Sequence, residues 1–159
     1  MNSPISYPHP IPTHGNHRPV WPKFGEYQFV PAQRWLHNIE HGAVVMLYHP
    51  CTHPHTVQTL RRLVTGCIRK HIITPHTNMP EDRPLALVAW GCRMLMSEME
   101  ENQVIKFIRE KGLKGPEVGL SGHLCSSLIM IFITRERSPR RVSTLTGCSS
   151  WPLRLQART

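Results

Sequence analysis

The chain has 159 residues, enough for one domain with a core of its own, and a formal charge of +9 with 40% apolar residues. Seven Lys/Arg oppose two acids in residues 1–80, six oppose seven in 81–117, and six oppose one from residue 118 on. The basic pairs before the tail, Arg61–Arg62 and Arg69–Lys70, are not interleaved with aromatics, so nucleic acid is not the expected partner.

The first stretch, MNSPISYPHPIPTHG, has neither a charged n-region nor an apolar h-region and does not read as a signal peptide. Residues 1–34 hold seven prolines, which predicts an irregular arm, partly polyproline-like. Trp21, Phe24, Tyr27 and Phe29 allow that arm to pack on the domain, and Tyr27 to Phe29 could add a short edge strand. Any helix through His37 to His41 is expected to be one or two turns long, because Gly42 and a β-branched run follow at once. Gly42 to His49 predicts a buried strand closed by Pro50. Val57, Leu60, Leu63, Val64, Cys67 and Ile68 recur at 3-and-4 spacing, predicting an amphipathic helix over 56–69 capped by Thr52 or Thr56.

His71 to Thr74 predicts a second strand, and Thr77 to Arg83 a loop. Pro84 to Gly91 predicts a third strand that could continue toward Met96. Glu98 to Lys111 predicts a second helix, with Gly112 suited to its C-terminal cap. The order β-α-β-β-α implies an α+β fold: a small mixed or antiparallel sheet with helices on one face. The expected organisation is an arm over 1–34, a core domain over 35–117 and an irregular tail over 118–159, disordered or read from an alternative transcript. The longest uncharged apolar run, Leu124 to Ile133, is about half the ~20 residues that span a bilayer. Lacking both entry signal and anchor, the chain as written would stay in the cytoplasm.

Ten of the eleven histidines precede residue 77. HNIEH (His37 to His41) matches H-x-x-E-H, in which two helical histidines hold zinc and the glutamate activates water. That hydrolase chemistry needs a continuous helix through the motif and a third ligand downstream, for which Glu117 is the late carboxylate that stands apart. A plain metal site asks for less. If the arm folds back, His14 and His17 meet His37 and His41, and imidazoles with Glu40 suit zinc or copper. The same residues could equally form a hydrogen-bonded polar cluster that pins the arm. His49, Cys51, His53 and His55 form a second, more local set that also reads as an exposed turn. Five cysteines without a CxxC pair leave two readings: buried free thiols, or one disulfide among Cys51, Cys67 and Cys92.

HNIEHGAVV, the preceding H-x-P-x-W-x-x-x-G-x-Y (His17 to Tyr27), LALVAWG (Leu85 to Gly91) and GPE (Gly115 to Glu117) together resemble the family known as domain of unknown function 3105. LYHPCTHP (Leu47 to Pro54) and DRPLALVAWG (Asp82 to Gly91) resemble its animal members. The resemblance covers roughly residues 7–117 and brings no catalytic residues. It implies a membrane-associated, extracytoplasmic domain and, for the animal members, a stress-induced, growth-restraining role. The residues themselves lead to the function expected: a His/Glu-lined pocket that holds zinc or copper, or a small polar ligand, through His14, His17, His37, Glu40 and His41. The alternative is a non-catalytic interaction module with a protein partner, its histidine cluster structural.

Overall fold

In a computed structural model, which describes residues 3–119, the chain forms five strands and three helices. The elements are β1 (Gly25–Glu26), α1 (Ala32–Glu40), β2 (Val44–Tyr48), α2 (Pro54–Cys67), β3 (His71–Pro75), β4 (Leu85–Ala89), β5 (Cys92–Met96) and α3 (Glu101–Lys111). The sheet order is β1-β3-β2-β4-β5. β3 lies parallel to both β1 and β2, while β4 runs antiparallel to β2 and β5. This is the mixed-sheet α+β architecture that the order of elements implies. The expected tail falls, from residue 120 on, outside the described residues, as do Cys125, Cys148 and the Leu124–Ile133 run.

Strand alternation divides the core in two. Val44 and Met46 of β2, Ile73 of β3 and Leu85 and Leu87 of β4 face α2 and α3, where Leu60, Leu63, Val64, Val104 and Ile108 are buried against them. Val45, Leu47, Ile72, Ala86 and Val88 face the other way, onto Trp35, Leu36 and Ile39 of α1 and Ile11 and Val30 of the arm. The two helices with clear periodicity thus share one face, and α1 with the arm covers the other. Because β2 is buried on both faces, its sequence is a continuous apolar run and not an alternating one.

Several local expectations shift. The edge strand is Gly25–Glu26, just before Tyr27, although Tyr27 N–H does reach Ile73 O at 2.9 Å. α1 is longer than expected: it starts at Ala32, behind Pro31 at its N-cap, and closes at His41. α2 is capped by His53, whose Nδ1 accepts from His55 N–H, and not by Thr52 or Thr56. The third strand does not run on past Gly91: Trp90 and Gly91, the latter at φ +71°, turn the chain back into β5. Gly112 caps α3 in an extended conformation, and the left-handed residue is Leu113 at φ +56°. Of the described cysteines, Cys51 and Cys67 are each disulfide-bonded and Cys92 keeps a free thiol. No helix among the described residues is long and apolar enough to cross a membrane.

Candidate functional site

Three segments meet at the C-terminal end of α1. The helix itself presents His37, Glu40 and His41, with His37 and His41 one turn apart on one face. The arm runs along α1 to reach this end, held by bonds to backbone carbonyls: Arg18 N–H donates to Gln33 O (2.8 Å) and Arg34 Nη1 to Val20 O (2.7 Å) at the first turn, and Asn38 Nδ2 to Pro22 O (2.9 Å) near the last. The chain after α3 crosses from the other side. Leu113 N–H donates to Gly42 O (2.9 Å) and Glu117 N–H to Glu40 O (3.1 Å).

Two glycines make this crossing possible. Gly42 turns the chain out of α1 at φ +84°, and a Cβ there would meet Leu113 Cα at 2.9 Å. Gly115 lies directly on the end of α1, where a Cβ would come within 2.5 Å of Ile39 O and closer still to Glu40 O.

Every imidazole of the group is anchored through Nδ1 to a backbone carbonyl. His17 donates to Gly15 O (2.8 Å), His37 to Arg18 O (3.1 Å) and His41 to Glu117 O (2.9 Å). A ring that donates from Nδ1 offers the lone pair of Nε2 when neutral. These free nitrogens point at one another and at carboxylates. His37 Nε2 lies 3.0 Å from His41 Nε2, His17 Nε2 lies 2.9 Å from Glu40 Oε2, and His41 Nε2 lies 3.4 Å from Glu117 Oε2. One donor atom each from His17, His37 and Glu40 lie within 4.8 Å of one another. The Trp21 indole stacks on His37 and His41 at ring-centroid distances of 5.0 and 4.5 Å, and the His17 ring meets His37 edge-on at 5.1 Å.

The structure therefore brings His17, His37, Glu40 and His41 together. His14 stands outside the group: its Nδ1 pairs with the Thr13 hydroxyl at 3.0 Å, and its ring faces Trp90 edge-on. Trp21 and Glu117 complete the cluster. Both lie in the quoted motifs, yet the sequence had Trp21 as a packing aromatic and Glu117 only as a hydrolase ligand.

The second histidine set is used locally. His49 Nδ1 accepts from Cys51 N–H (3.2 Å) and His53 caps α2, so both rings serve turns. Burial holds His49 and His76 below the ordinary histidine range, reinforced at His49 by the charge of His76 and opposed at His76 by backbone hydrogen bonds to Pro10 and Asn78. Unfolding therefore takes up protons at these sites. Their contribution to stability is complete above the unfolded value of ~6.5 and is lost as pH falls through the depressed folded values. The urea midpoint should drop between pH 7.5 and 5, and His76→Gln should make that drop smaller; an unchanged slope would show that His76 is not a source of it.

A family model described as "Protein of unknown function (DUF3105)" matches residues 1–123. Tumor protein p53-inducible protein 13 of Rattus norvegicus is 31% identical over 68 residues, covering 43% of this chain and 18% of that protein. The protein of the same description in Mus musculus is 29% identical over the same extent. The chain thus spans less than a fifth of the length of the curated relatives it matches. No solved structure matches it. Since the family match takes in the arm, the whole sheet and the GPE crossing that together assemble the histidine cluster, the chain belongs to the DUF3105 family.

Proposed function

We propose that His17, His37, Glu40 and His41, with Glu117 beside them, form a binding site for a transition metal ion, zinc or copper. One observation supports this above the rest. With each Nδ1 committed to a carbonyl, the contacts at 2.9 and 3.0 Å set acceptor against acceptor and need positive charge between them. Two extra protons could supply it, but so could one divalent cation shared by His17, Glu40 and His37, the three whose donor atoms lie within 4.8 Å of one another. Those atoms are close enough to share one ion after small side-chain adjustments, and His41 is reached through His37 at 3.0 Å. Carbonyl-anchored imidazoles are also how metal-binding histidines are oriented. A bound ion would supply the missing charge and tie the arm, α1 and the final crossing together.

The hydrolase reading is less well served. Glu40 faces the His17 imidazole at 2.9 Å, so its carboxylate is engaged as a ligand or orienting group and not left to a water. The stress-response setting is carried over from the p53-inducible relatives by resemblance.

The test is metal content of the untagged full chain after exposure to zinc or copper(II) and gel filtration. About one ion per chain is expected, with His17→Ala and Glu40→Gln each lowering affinity at least tenfold. A chain that emerges metal-free, and whose variants are merely less stable by about 1–3 kcal/mol, has a structural histidine cluster instead. Cleavage of a peptide library that Glu40→Gln abolishes while metal stays bound would restore the hydrolase.

A further inference from the structure

The large apolar side chains exposed among the described residues are Val20, Trp21, Phe24 and Phe29, at 68%, 39%, 39% and 72%. All four fall within ten consecutive residues of the arm. Trp21 and Phe24 meet edge-on at 5.8 Å, and with Pro22 and Lys23 they line a surface groove of about 300 Å³. This tip is held outward from below, because its carbonyls at Val20 and Pro22 are bonded to Arg34 and Asn38 of α1 and its indole rests on His37 and His41. Pro19 and Pro22 stiffen it further.

Its charge is of one sign. Residues 3–25 contain no Asp or Glu, and Arg18, Lys23 and Arg34 lie in or beside the tip. The acids near it are already engaged: Glu26 with Arg61 at 2.7 Å, Glu40 with His17 at 2.9 Å and Glu117 with His41 at 3.4 Å. Aromatic and aliphatic side chains interspersed with cations are the composition that enters the boundary between headgroups and acyl chains of a bilayer. The exposed apolar area of Val20, Trp21 and Phe24, roughly 300 Å², is well under half of what each partner of a stable dimer contributes. A second copy would also bring the same positive charge to the contact.

We propose that the arm tip around Val20, Trp21 and Phe24 docks on an anionic lipid surface, its apolar side chains entering the bilayer boundary and Lys23, Arg18 and Arg34 meeting lipid phosphates. This surface is independent of the metal reading except that Trp21 is shared.

The test is co-sedimentation of the full chain with vesicles of phosphatidylcholine alone or with about 30% phosphatidylserine, at ~0.1 M salt. Binding to the anionic vesicles is expected. Val20→Ser/Phe24→Ser should weaken it at least tenfold, and Lys23→Glu about fivefold or more. These side chains are exposed, so thermal melts of the variants should overlay the parent, which separates lost docking from lost fold. Absence of binding, equal binding to both vesicle types, or full binding by Val20→Ser/Phe24→Ser would overturn the proposal. A dimer in sedimentation velocity that Val20→Ser/Phe24→Ser dissolves would assign the tip to a second copy and overturn it likewise.

Discussion

In a chain carrying His37→Ala and His41→Ala, zinc should give no protection against unfolding, whereas it should raise the parent's unfolding free energy by about 4 kcal/mol when present at a thousandfold over its Kd. The expected difference is large because a ligand that binds only the folded chain adds all of its binding to stability. For a domain of this size about 4 kcal/mol corresponds to roughly 15 °C in melting temperature. Without metal, the double substitution should cost less, about 2–3 kcal/mol. It removes the bonds to Arg18 O and Glu117 O and the stacking of Trp21, each a partly solvated contact worth about 1 kcal/mol. A metal-dependent gap larger than the metal-free loss is therefore the signature of a binding site. Equal losses with and without zinc would mean that the histidines pin the arm and do nothing more. The chain has other histidines, so the parent and the variant must be compared at the same free zinc.

How much of this was legible in the sequence follows from where the information is stored. The strand at Val44–Tyr48 and the helix at Pro54–Cys67 were readable because apolar spacing is a local property. Trp90–Gly91 was harder. An apolar run on either side looks like one strand, and only the positive φ at Gly91 and the pairing of Ala89 with Cys92 make it a hairpin. α1 was underestimated for a similar reason: it begins directly behind Pro31, in a stretch that sequence reads as arm, and its buried face starts only at Trp35. At the site, H-x-x-E-H and the arm histidine His17 were visible as residue types. What sequence could not supply was direction. The Nδ1 anchors are backbone carbonyls of Gly15, Arg18 and Glu117, and carbonyls carry no residue code. His14 was as plausible as His17 by composition, yet its ring turns toward Trp90.

Gly115→Ala should be the most damaging single-methyl change in the described chain. The new Cβ would fall within 2.5 Å of Ile39 O, closer to Glu40 O, and 2.6 Å from Glu40 C. All of these are backbone atoms of the last turn of α1, so no rotamer can swing aside and the crossing itself must lift. Lifting it removes the Glu117 N–H bond to Glu40 O and the Glu117 O acceptor of His41 Nδ1, and it strains the Leu113 bond to Gly42 O. Overpacking of this kind costs about 1–3 kcal/mol and each of the two lost bonds roughly 1 more, for a destabilisation of about 3–5 kcal/mol in urea titrations. The effect should also reach the metal. Once His41 loses its carbonyl anchor its ring is no longer oriented, and losing such a partner lowers affinity by roughly 10–100-fold. Glu117→Ala separates the two contributions, because it keeps the backbone crossing and the carbonyl while deleting the carboxylate. It should leave stability nearly intact and weaken metal binding only modestly. If Gly115→Ala keeps both the parent's urea midpoint and its zinc affinity, the crossing does not hold His41, and the site must be ordered by α1 and the arm alone.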